Sequence, residues 1–278
     1  MLRYSGSFKP MENMIKAIEY CEMCLKFCED IFLQLNNQEH FAISINDKLL
    51  MEQIKQAQSI GNLEEIARNN SLLDDMYNKR LLKFLIMDFC IYMGQSIINI
   101  KQFNPQVAFC LARKPFCETL CYLEKMLINP KETVDLVFSD NSKNKDIDNK
   151  NSCNNGINSK ETYLAVLKIL GLEDLKESIY DMRYAKDIPS IRAIGDRASH
   201  IATSGAGIKV ESGELNFVFI EDGVIEDFTK LYCNLLPLLM YYAVYVIKQL
   251  FKIVARKEID LKDFNKYTDE FFGKYFKK

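Results

Sequence analysis

The stretch SIRAIGDRASHIATSG, Ser190 to Gly205, gathers the residues whose types and spacing could do chemistry. His200 is one of two histidines in the chain, and the other is His40. Imidazole can move a proton near neutral pH. Arginine can hold a phosphate through two parallel hydrogen bonds and stabilise charge as it develops. On a helical wheel at about 100° per residue, Arg192, Asp196, Arg197, Ser199, His200 and Thr203 share one side. Ile191, Ile194, Gly195, Ala198, Ile201 and Ala202 form the other, the expected core face. Asp196 and Arg197 stand four and three residues before His200, within reach of its ring on a helix. The chemistry these parts fit is metal-free cleavage of RNA. His200 would serve as general base or acid, Arg192 or Arg197 as phosphate clamp, and Asp196 as the group that fixes the imidazole tautomer. A polar helix face turned to water has the same composition, and the residues alone leave both readings open.

Arg113 and Lys114, in RKP, place two cations where a helix is expected to begin, with Pro115 in its first turn. A helix start attracts anions through its free N–H groups, so the pair is a candidate RNA-phosphate contact; a solvated helix start is the alternative. The cysteines point elsewhere. In CEMCLKFC, Cys21 and Cys28 fall on an apolar seam, which favours a core role for these thiols over a metal site. Cys117 and Cys121, at helical spacing, also read as core, with Glu118 and Glu124 not persuasively on their face. A cysteine nucleophile needs a histidine base, and neither histidine lies in a recognisable protease context. There is no GxGxxG or GxxxxGK[ST] motif. No metal and no cofactor is expected.

The elements that must carry these residues are mostly helical. Met14, Ile18, Cys21, Leu25, Cys28, Phe32 and Leu35 alternate spacings of four and three, as in a helical bundle. A second helix is expected near Ile45, a third from Ser71 to about Ile100, a fourth from Arg113 to Asn129 and a short one ended by Gly171. Alternation around SGE predicts a small β-hairpin over about 207–221, followed by an apolar helix from Phe228 and a charged, aromatic tail. Leu231 to Phe251 is apolar enough to suggest a membrane span, but Asn234, Pro237, Lys248 and three tyrosines favour a buried core helix. The expected fold is mainly α: a helical region over 11–139, a low-complexity insertion over 140–160 and a second helical region with the hairpin over 161–278, packed as one unit.

The charge balance of 36 basic and 38 acidic residues argues against a protein that coats nucleic acid or binds membranes through a polybasic surface. The opening MLRYSGSFKP lacks the apolar core of a secretory signal, and nine cysteines are an odd number, so free thiols in a reducing cytoplasm are expected.

A helical bundle whose late helix carries an arginine, a polar neighbour and a histidine resembles the HEPN superfamily of prokaryotic defence and toxin proteins. The motif lies within Arg192 to His200. The resemblance implies a metal-independent ribonuclease acting as a cytoplasmic homodimer, with RNA as substrate and an antitoxin or regulatory protein as a further partner. It equally implies the alternative of a non-catalytic helical interaction or dimerisation module, since some members are inactive.

Overall fold

The computed structural model describes residues 11–36, 71–138, 160–176, 178–185, 187–199 and 222–275, with the isolated positions 52, 55 and 56. The expected hairpin at 207–221, the helix expected near Ile45, the low-complexity insertion, His40 and His200 lie outside the described residues. Among the described residues the structure is a helical bundle with no strand.

Helix α1, Glu12–Asn36, forms because its apolar residues fall on one stripe. Met14, Cys21, Leu25, Cys28 and Leu35 are buried as the spacing predicts, with Ile18 and Phe32 at the margin. Helix α2, Ser71–Lys101, runs antiparallel beside it. Lys101 reaches Glu22 at 2.7 Å near one end, and Lys83 Nζ lies 6.0 Å above the Phe32 ring near the other. The chain then turns through Phe103 in the left-handed region (φ 55°). Asn104 caps helix α3, Pro105–Lys114, by accepting from Val107 N at 3.5 Å, and Pro105 occupies the first turn where no N–H is needed. α3 flanks the other side of α2, as Ser96 Oγ to Ala108 O at 2.7 Å records.

α3 does not end cleanly. Pro115 has no N–H to continue the ladder, and the chain widens into one π turn, Pro115–Thr119, before α4, Leu120–Ile128. The expectation of a helix beginning at Arg113 is therefore corrected. The start is at Pro105, Arg113 and Lys114 close α3, and Pro115 marks a change of register inside a continuous helical run. Phe116, Leu120, Leu123 and Leu127 are buried together, as their spacing predicts.

Helix α5, Pro130–Phe138, helix α6, Lys160–Leu170, and helix α7, Ser178–Tyr184, follow. Gly171 ends α6 with φ +67°, a conformation that favours glycine. Helix α8, Ile191–Ser199, is capped by Ser190, whose Oγ accepts from Ala193 N at 3.1 Å and donates to Ala185 O at 2.8 Å. That hydroxyl ties the start of α8 to the end of α7.

Helix α9, Asp222–Ala255, begins before the expected Phe228 and contains Pro237. Leu239, Met240, Tyr242, Ala243, Val246 and Ile247 are fully buried, so the apolar run packs into the middle of the bundle. By length and composition two helices could cross a membrane, Met76–Lys101 and Gly223–Ala255. Their most apolar windows are 44% and 61% buried in the fold. The aromatic tail is helix α10, Lys262–Tyr275. Its Phe271 ring stacks on Tyr20 with centroids 4.3 Å apart, because Phe264, Phe271 and Thr268 share a buried face.

Candidate functional site

α8 crosses α3 at Gly195. A Cβ built there would stand 2.8 Å from Arg113 Cβ and 3.1 Å from Phe109 O, closer than side chains tolerate. Glycine thus lets the two backbones approach, and Ile191 and Ile194 seal the contact as predicted for the core face. This close crossing brings together residues far apart in sequence. Arg113 Nε donates to Asp196 Oδ1, and Arg113 also donates to Glu118 Oε1 at 2.8 Å. Arg192 Nε lies 3.8 Å from the other Asp196 oxygen. Gln106 Nε2 reaches Ala198 O at 3.4 Å. Arg113, Asp196 and Arg192 form one half-exposed cluster. Arg197 sits beside it with its Nε buried and without a hydrogen-bond partner among the described residues. A buried donor left unpaired costs about 1–3 kcal/mol.

The position of Lys114 departs from expectation. It ends α3 rather than opening a helix, donates to Asp88 Oδ1 at 2.8 Å and lies 4.3 Å above the Tyr92 ring. Thr119 Oγ1 donates to the other Asp88 oxygen at 2.7 Å. The free N–H groups of a helix start are therefore not available at Arg113 and Lys114. Burial works against the charge of Arg113, but Asp196 and Glu118 outweigh it and its pKa is raised. Asp196, expected to orient His200, has Arg113 and Arg192 as its described neighbours.

A second polar group was not singled out by sequence reasoning. Arg183 is fully buried. Its Nε donates to Phe116 O at 2.8 Å, in the π turn. One terminal nitrogen reaches Glu124 Oε1 at 2.5 Å, and the other reaches Glu124 Oε2 at 3.2 Å, Tyr184 Oη at 2.8 Å and Cys121 Sγ at 3.1 Å. Tyr242 Oη completes the group by donating to Glu124 Oε1 at 2.6 Å. Desolvation opposes the charge of Arg183, yet Glu124 holds its pKa well above the ordinary value. Burial and Glu124 together push the Tyr242 hydroxyl up. Glu124, set aside on the wheel, thus faces Arg183. The available signal was Arg183 itself, four residues after Ile179 on the apolar side of α7. The group is sealed, and its role is to pin α7 against α4 and α9, and through Ser190 the start of α8.

Cys21, Cys24, Cys28, Cys117 and Cys121 are buried, in agreement with the core reading. Burial pushes the Cys117 thiol up to about 12 and Cys90 also to about 12, so both are protonated at neutral pH and neither is a ready nucleophile. Among the described residues no cluster of three His, Cys, Asp or Glu is arranged to hold a metal. The chain matches no protein-family model, no curated protein and no solved structure.

Proposed function

We propose that the α3–α8 crossing is the phosphate-binding half of a metal-independent ribonuclease site, completed by His200 in the residue following α8. The observation that carries this reading is the bond of Arg113 to Asp196, whose other oxygen Arg192 approaches. Residues picked separately from sequence, as RNA contacts and as catalytic groups, adjoin one another across 83 positions. In the proposed reaction His200 accepts the proton of a ribose 2′-hydroxyl. The 2′-oxygen attacks the adjacent phosphorus, the bond to the 5′-oxygen breaks, and the leaving oxygen takes a proton. A 2′,3′-cyclic phosphate and a 5′-hydroxyl result. Arg192 and Arg197 hold the phosphate oxygens and offset the charge of the crowded phosphorane; Arg113 and Lys114 extend the contact along the backbone. Asp196 positions the two guanidiniums that flank it.

This is the activity of a HEPN-like toxin or defence protein, working in the cytoplasm as a homodimer and restrained by an antitoxin or regulatory partner. The second reading is a non-catalytic interaction module with a helical fold and a hairpin at 207–221. It is favoured by the engagement of Asp196 with two arginines, which also suits a purely structural tie. Expression of the wild type and His200→Ala in a bacterial host separates them. Growth arrest with fragmented RNA in the wild type alone supports the nuclease, and equal harmlessness of both supports the module.

A further inference from the structure

On α2 the face turned away from the core is apolar. Phe84, Ile91 and Ile98 recur every seventh residue and are 43%, 57% and 46% exposed. On a wheel they fall within about 40° of one another, with Met87 beside them, Gln95 at the rim and Arg80 in the same sector at the amino-terminal end, its guanidinium 5.7 Å above the Phe84 ring. The opposite face, including Ile86, Phe89, Met93 and Ile97, is fully committed to the core. α1 and α3 flank α2 without covering the stripe. A seven-residue apolar period fits another helix packed along it at a shallow angle.

We propose that this stripe is the dimer interface of the chain, with the α2 helices of two copies antiparallel about a two-fold axis at Ile91. The proposal rests on the homodimer of the functional reading but not on its chemistry. Two features select a second copy in this orientation. First, the stripe is symmetric about its middle: Phe84 of one copy meets Ile98 of the other, and Ile91 meets itself. Second, the charges agree. Leu25 packs on Gly94 at 3.6 Å, so the axis crosses α1 near Cys28. Lys26 of one copy then faces Glu29 and Asp30 of the other, and all three are exposed. Leu33 of α1, 58% exposed, widens the apolar face. Three helices side by side at ~10 Å spacing offer room for the ~800 Å² per partner of a standard interface.

The test is sedimentation equilibrium of the full chain across micromolar concentrations, with circular dichroism to check that each variant is folded. The wild type is expected to dimerise. Ile91→Glu, at an exposed position, is expected to weaken association by about a hundredfold while remaining folded. Phe84→Lys and Ile98→Glu singly are expected to do the same. The double variant Phe84→Lys/Ile98→Glu pairs Lys with Glu twice across the axis and is expected to recover the dimer. A monomeric wild type, or an Ile91→Glu dimer as tight as wild type, would overturn the interface. Failure of the double variant to recover would overturn the antiparallel register. Any of these results leaves RNA cleavage to be read separately, by incubating the same samples with RNA.

Discussion

Replacing Arg183 with Met removes the charge at the centre of the buried network but keeps most of its volume. Five hydrogen bonds disappear: one to Phe116 O, two to Glu124, one to Tyr184 and one to Cys121. Tyr242 still donates to Glu124, but the carboxylate, 2% exposed, loses its only described cation. Breaking a buried pair from one side costs about 3–5 kcal/mol. Glu124→Leu strands the guanidinium in turn and is expected to cost a similar amount. The double variant leaves neither charge, and its cost should fall to about 1–2 kcal/mol, the loss of packing and of the Phe116 contact. The assay is urea unfolding followed by circular dichroism, analysed as a double-mutant cycle. The reasoning is refuted if either single variant stays within about 1 kcal/mol of wild type, or if the two losses simply add.

Three further outcomes are expected. Gly195→Val should lower stability by about 1–3 kcal/mol, since its side chain meets Arg113 and the Phe109 carbonyl; thermal unfolding reads this, and an unchanged midpoint would contradict the close crossing. Asp196→Ala should cost less than about 1 kcal/mol, because its ion pairs are half exposed, yet it should impair RNA cleavage; an impaired fold with intact cleavage would reverse that assignment. Under reducing conditions the contribution of the buried thiols to stability should be constant below about pH 8.5 and fall as pH rises toward 12. The folded pKa of Cys117 and Cys90 is raised to about 12, so the unfolded chain loses these protons first and alkali favours unfolding. Urea unfolding over that range checks it, and Cys117→Ala should make the fall shallower while the other buried thiols, Cys21, Cys24, Cys28, Cys90 and Cys233, maintain the rest of it.

The α1 seam, the break at Asn104 and Pro105, the core role of the 231–251 run and the apolar face of α8 were legible because each rests on local periodicity or a local cap. The start of α3 was misplaced because Pro115 reads as a first-turn proline, whereas here it sits at a π turn within the helical run. The C-terminal helix read as a tail because its polar residues outnumber its apolar ones; only contact with Tyr20 shows that Phe271 is buried. The candidate site was half legible. Residue types on one helix face singled out Arg192, Asp196 and Arg197, and nothing local showed that Gly195 brings Arg113 against Asp196. The Arg183–Glu124 pair joins α7 to α4 across 59 positions, a distance no periodicity reports.

The most direct test of the functional account is incubation of the purified full chain with single-stranded RNA in the presence of EDTA, with analysis of the product ends. The account predicts cleavage that survives chelation, leaves 2′,3′-cyclic phosphates and disappears in His200→Ala while the variant remains folded. Intact RNA with the wild type, or cleavage undiminished in His200→Ala, would contradict it.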